Sequence, residues 1–335
     1  MTRERDARTV AWYRTPLTRE QMRELNQRSD WKGLLQTLGH LSLIALIGML
    51  AWQVQDRIYL LLPVLLAYGT VYIFLLNATH ELCHNSVFKT RLLNHFFLRL
   101  FCFLGWRSHL HFWTSHAEHH KYTLHPPDDL EVVLPAKLTL KNFIQLGFVD
   151  PWTLYSTIKT HIEHSFGIIR GEWSNHLFPP EVRDKRRRLF WWARFLLAGH
   201  ATLIAVSLYY ELWLLPVLTS GGVFYGGWLR YLCNGTQHAG LQDDVPDFRL
   251  CTRTVILNPL VRFLYWHMNY HIEHHMYAAV PCYNLGKLHQ AIKRDTPEPA
   301  RGLIAAWKEI VAIVKKQRVD PEYQYVPELP VPLAT

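Results

Sequence analysis

The chain has 335 residues, enough for one large or two ordinary domains, and 49% of them are hydrophobic, with 13 Trp. Mean hydropathy is still close to neutral, so apolar segments must alternate with strongly charged ones. A net charge of +9 would suit nucleic acid, but the placement of the charges points to a membrane surface, and five Cys without a C-x-x-C pair give no disulfide framework.

Residues 1–33 form a polar leader with eight Lys or Arg, expected on the cytosolic side and without the core of a signal peptide. Leu34 to Trp52 is then free of formal charge for 19 residues, about 28 Å as a helix, enough to cross a bilayer core. A polar turn from Gln53 to Arg57 leads into a second uncharged run, Ile58 to Ala78. Phe96 to Trp106 is apolar but too short to span, and Lys141 to Arg170 has the scattered apolar residues of an interfacial amphipathic helix. The basic run Arg183 to Arg188 precedes a second hydrophobic hairpin, Leu189 to Tyr210 and Leu212 to Leu232, in which Arg194 and Arg230 snorkel to the interface. Pro216, Gly221, Gly222, Gly226 and Gly227 would let the last span bend or let a neighbour pack closely. Arg301 to Lys316 reads as a docked amphipathic helix, and Val326 to Thr335 as an irregular Pro-rich tail.

Lys and Arg number 8 in residues 1–33, 14 in 79–188 and 11 in 233–335, which leaves Arg57 alone in an outer turn. That bias predicts four spans (about 34–52, 58–78, 189–210 and 212–232) with both termini inside. The expected fold is an all-α integral membrane protein: two helical hairpins under a cytosolic helical cap. Its parts would be the leader, a membrane domain over 34–290, and a C-terminal segment over 291–335.

The cap carries the chemistry. His116-Ala-Glu-His119-His120 and His271-Ile-Glu-His274-His275 both read H-x-E-H-H, and on a helix the three imidazoles of each fall within an arc of about 100° while the Glu turns aside. His80-Glu-Leu-Cys-His84 places two more at i and i+4, and His238 follows the fourth apolar run. Those nine histidines are too many for one metal and about right for two, each with four or five nitrogens. Imidazole suits zinc, copper, nickel and iron. His80-Glu81-x-x-His84 also matches the H-E-x-x-H of zinc proteases, but that reading leaves seven histidines without a role. A non-catalytic metal-binding membrane protein is a further alternative.

The set H-x-x-x-H, H-x-x-H-H, Q-H and H-x-x-H-H, behind two hydrophobic hairpins, resembles the integral-membrane fatty acid desaturase and hydroxylase superfamily over roughly residues 70–290. His119-His-Lys-Tyr-Thr, Pro127-Asp-Asp, Asn269-Tyr-His-Ile-Glu-His-His and Val280-Pro281 extend the likeness beyond the ligands. It is similar in particular to a bacterial subgroup that includes an oxygenase of rhizopine catabolism. The resemblance implies two iron ions held by His80, His84, His116, His119, His120, His238, His271, His274 and His275, using O2 to desaturate or hydroxylate an unactivated C–H bond. It implies a fatty acyl or other lipid-like substrate, with a smaller polar or alkyl substrate as the alternative. It also implies a bacterial inner membrane with the site facing the cytoplasm, and in Asn234 a residue that reaches a metal through water.

Glu81, Glu118 and Glu273 are candidates to accept the second N–H of a ligand imidazole, with Asp128, Asp129, Asp243 and Asp244 behind them. His161-Ile-Glu-His164 copies four residues of the third box but continues with Ser165, so it is set aside, as are His40, His109, His111, His125, His200 and His267. No G-x-G-x-x-G, C-x-x-C or cytochrome signature is visible, so electrons must come from a separate ferredoxin, rubredoxin or cytochrome. The basic face would suit an acidic redox partner or anionic lipid, and no nucleic acid is expected.

Overall fold

The computed structural model describes residues 9–135 and 138–330. The first eight residues of the expected leader and the last five of the Pro-rich tail lie outside the described residues. Long elements are helical; the one regular β pairing among the described residues joins Val255–Ile256 to Ala300–Arg301.

Three helices are long and apolar enough to cross a membrane: Asp30–Gln53, Ile58–Cys83 and Arg183–Tyr209. The first begins at Ser29, whose Oγ accepts from the Lys32 N–H. Apolar side chains such as Leu35, Leu46, Met49 and Leu62 face outward, as a lipid-facing surface requires. The second is tightened at Ile73 and Phe74 and runs on as Leu75–Cys83, which carries His80. The first box therefore ends a membrane-spanning helix directly rather than following it through a linker. Two histidines inside spans are fully bonded cross-links. His40 Nε2 donates to the Val71 carbonyl at 2.9 Å while Nδ1 accepts from Trp266 Nε1 at 3.0 Å. His200 Nε2 donates to the Phe103 carbonyl at 2.9 Å.

The expected fourth span, 212–232, is not one helix. Short helices Leu214–Leu218 and Trp228–Asn234 flank an irregular stretch. Its backbone groups bond across to another segment: Gly226 N–H donates to the Phe148 carbonyl at 2.8 Å, and Asp150 N–H to the Phe224 carbonyl at 2.8 Å. Outside pairing of this kind is what lets a non-helical backbone persist among apolar segments. Gly226, at φ 73°, passes so close to the second span that an added Cβ would lie 2.5 Å from the Thr70 nitrogen. The glycines that suggested a bend have allowed a break.

The expected interfacial helix is likewise two pieces, Leu140–Gly147 and Pro151–Ser165, the second capped by Asp150 Oδ1, which accepts from Thr153 N–H at 2.9 Å. It packs along Arg183–Tyr209. The C-terminal helix Leu303–Gln317 docks through Ala306, Ile310 and Ile313, and Trp307 Nε1 donates to the Leu232 carbonyl at 2.9 Å.

Gly226→Ala combines positive φ with a backbone collision and should cost about 1–3 kcal/mol or more. Gly171→Ala shares a positive φ (86°) but meets nothing within 4 Å. Thermal unfolding of both variants in detergent should show the larger loss for Gly226→Ala; equal losses would contradict the close approach.

Candidate metal centre

All nine box and isolated histidines converge beneath the spans. Nitrogens of His80, His84, His116, His120 and His274 form one group, and those of His119, His238 and His275 another, each group within 4.8 Å. His271 Nε2 joins the second, 3.0 Å from His238 Nε2 and 3.2 Å from His275 Nε2. Helical geometry explains the division. Positions i and i+4 differ by about 40° of rotation, so His116 with His120, and His271 with His275, each serve one group. The i+3 residue lies about 60° to the other side, which sends His119 and His274 to the opposite group. The rings of His120 and His275, 4.5 Å apart, mark where the two groups adjoin.

The ring contacts offer fewer protons than ordinary two-centre hydrogen bonds would need. His238 Nδ1 lies 2.9 Å from the Cys251 carbonyl, which can only accept, so the ring proton is on Nδ1 and Nε2 is bare. Next to that bare nitrogen stand His271 Nε2 and then His275 Nε2, a row whose middle nitrogen has at most one proton for two contacts. The other group repeats the pattern, with His116 Nε2 3.0 Å from His120 Nε2 and His274 Nε2 3.1 Å from His120 Nε2. A cation bonded at about 2.0–2.1 Å to each nitrogen would set neighbouring nitrogens roughly 2.9–3.4 Å apart, as found here. His84 Nε2 is buried with no partner, as a ligand nitrogen without its cation would be. Burial first, then the neighbouring imidazoles, pushes the pKa values of His116, His120, His271 and His275 well below the ordinary histidine range, so the lone pairs are free at neutral pH. His238 is lowered, chiefly by burial, to about 3.

Groups behind the ligands fix their orientation. Asp129 Oδ2 accepts from His119 Nδ1 at 2.8 Å and from the Leu124 N–H at 2.9 Å. Burial opposes ionisation of Asp129, but these bonds outweigh it and hold its pKa below the usual carboxylate range. Glu131 Oε1 takes His116 Nδ1 at 2.8 Å and its Oε2 takes the Ser115 hydroxyl. Thr123 Oγ1 lies 3.2 Å from His275 Nδ1. Glu131, Thr123 and the Cys251 carbonyl went unread in the sequence, where nothing but loop proximity to Asp129 could have pointed to Glu131.

The three box glutamates diverge. Glu81 Oε1 lies 3.0 Å from His80 Nδ1. Glu273 instead accepts from Thr254 Oγ1 and His289 Nδ1, and Glu118 sits near Lys121 and Lys185; among the described residues neither bonds to a clustered histidine. The physical reason is that position i+2 lies about 100–160° around the helix from the arc that carries the three histidines. Asn234 lies at the wall of the cavity beside His238, its Oδ1 accepting from Asn77 Nδ2 at 3.3 Å. His161 and His164 stand outside both groups; His161 Nε2 donates to the Trp106 carbonyl at 2.9 Å.

A family model described as Fatty acid desaturase matches residues 57–307. The chain belongs to the fatty acid desaturase family. No curated protein matches it. Family membership makes it an oxidoreductase of the membrane-bound desaturase and hydroxylase type, and the three long apolar helices agree with an integral membrane protein.

Asp129→Asn should lower metal affinity about 10- to 100-fold by loosening His119. The paired change His161→Ala, His164→Ala should leave metal content near wild type, whereas His271→Ala should reduce it. Metal analysis of the purified variants side by side checks both; loss of a metal from the His161/His164 variant would overturn the ligand assignment.

Proposed function

We propose that this desaturase-family protein binds two iron ions, one in each histidine group, and uses O2 with external electrons to desaturate or hydroxylate an unactivated C–H bond. The supporting observation is the two rows of facing imidazole nitrogens, which a cation in each group would reconcile. What the bound pair supplies is reductive activation of O2 for attack on that bond. The chain's own residues do the rest. Asp129, Glu131 and the Cys251 carbonyl keep the Nδ1 protons in place, so that the Nε2 atoms of His119, His116 and His238 stay available. Burial of the ring cluster excludes bulk water.

A cavity of about 690 Å³ reaches His80, His116, His119, His238 and His271, and it is where a substrate carbon would approach the pair. A fatty acyl chain is the substrate that family membership suggests. The cavity wall away from the histidines favours the second reading, a smaller and more polar substrate, because Thr157, Thr160, His164 and Gln237 line it. Glu81 supports a positioning role rather than that of a hydrolytic base, since its carboxylate is buried against His80. Electrons would come from a separate ferredoxin, rubredoxin or cytochrome on the cytoplasmic face, where the Lys and Arg bias puts both termini.

Glu81→Gln retains an acceptor and should lower turnover or iron content about 10- to 100-fold without abolishing it. The function itself is checked in cells with and without the protein, by mass spectrometry of both lipid extracts and polar metabolites. A product that has lost two hydrogens or gained one oxygen is expected. Iron-loaded protein that consumes no O2 with reductant present, and no such product, would overturn the proposal.

A further inference from the structure

The same cavity contains two cations that the histidine centre does not use. Arg107 and Arg230 both line it. Arg107 Nη1 donates to the Leu76 carbonyl at 3.0 Å and to Thr79 Oγ1 at 2.9 Å, and its guanidinium lies 4.2 Å from the Phe112 ring centre. Arg230 Nε donates to Asn77 Oδ1 at 3.0 Å. All these partners are neutral. Among the described residues, neither guanidinium forms an ion pair, and neither Nη2 of Arg107 nor either Nη of Arg230 has a partner. Arg230 lies within the field of the Arg107 charge. The carboxylate whose field reaches Arg107, Glu131, is already bonded to His116 and Ser115.

Two guanidinium charges in a shared, partly desolvated space, with the committed carboxylate of Glu131 the one anionic side chain lining that cavity, leave a net positive charge that an added anion would offset. The guanidinium fork fits a carboxylate or phosphate. Arg107 is placed firmly. It follows Trp106, whose backbone is held at φ 51°, uncommon for a bulky side chain. Trp106 is locked by its indole N–H on the Ser220 carbonyl at 2.8 Å, by stacking 3.8 Å from His200, and by His161 on its own carbonyl. The histidine that imitates a box thus supports the cavity wall. Leu76, Phe112, Val223 and Phe224 give part of the wall an apolar face, but around Thr157, Thr160 and His164 hydroxyls and an imidazole would match a soluble polar molecule better than a methylene chain.

Resting on the oxidoreductase reading, we propose that Arg107 and Arg230 together hold the oxyanion, carboxylate or phosphate, of a small water-soluble substrate. Its polar body lies along Thr157, Thr160 and His164, and its reacting carbon is carried toward the histidines. The head group of a membrane phospholipid would offer the same oxyanion but brings two acyl chains that this wall does not suit.

Phenylglyoxal labelling of arginines in the purified iron-loaded protein, quantified residue by residue by peptide mass spectrometry, tests this. The probes are gluconate, inorganic phosphate, neutral sorbitol and mixed micelles carrying phosphatidic acid. For an anion bound with a Kd of about 1 mM, ~10 mM gluconate or phosphate should slow labelling of both Arg107 and Arg230 roughly tenfold, with sorbitol without effect. In Arg230→Gln, the protection of Arg107 should fall to less than about twofold, as loss of half a bidentate clamp predicts. Protection by phosphatidic acid alone, equal protection by sorbitol, no protection by either soluble anion, or failure of both arginines to label without ligand would each overturn the inference. Iron content and O2 uptake on the same preparations keep the two claims apart. Iron with O2 uptake but no anion protection sinks only the substrate inference, whereas protection without iron or O2 uptake sinks the oxidoreductase reading on which it rests.

Discussion

Imidazole nitrogens in this protein face one another in rows, buried, with some of their protons held on the far side of the ring. His238 cannot turn its proton toward His271 without abandoning the Cys251 carbonyl, and His116 is tied in the same way to Glu131. A lone pair beside a lone pair in a desolvated space is costly, and protonation is opposed there by burial and by the neighbouring rings. The two cations of the proposed function would resolve the conflict. The surrounding structure holds the rings from behind: Asp129 on His119, Thr123 on His275, Glu81 on His80.

Membrane helices and metal ligands are one construction here. Because Leu75–Cys83 continues the second span, the position of His80 is set by the packing of that span against Asp30–Gln53 and of its end against Arg91–Leu104. Gly226 lets an irregular backbone press on the same helix, and the residues that follow lead to Arg230, Asn234 and His238. The apolar layer thus meets the histidine cluster through a few close contacts rather than through a linker.

Much of the site was legible because helical periodicity and ligand chemistry coincide. H-x-E-H-H on a helix can only project three imidazoles into one arc and its Glu away from it, and the apolar runs from Leu34, Ile58 and Leu189 mark the three helices long enough to span. The division of each box between two groups follows from the same 100° step, yet it depends on how two helices face each other, which spacing alone does not give. The single helix expected over 212–232 is broken: hydropathy counts side chains, whereas the backbone there bonds across to Phe148 and Asp150. Glu131 was missed because a loop carboxylate has no periodicity. Arg230 was read as a snorkelling residue, and only the folded chain brings it to Arg107 at one cavity.

The central claim is that two cations sit side by side, one among His80, His84, His116, His120 and His274, the other among His119, His238, His271 and His275. Anomalous diffraction at the iron absorption edge, from crystals of the protein purified with iron, locates them most directly. The account predicts two separate peaks, each within bonding distance of the Nε2 atoms of its own group and with Asp129 and Glu131 uncoordinated behind the rings. A single peak, or density ligated by Asp129 or Glu131 in place of His119 or His116, would contradict it.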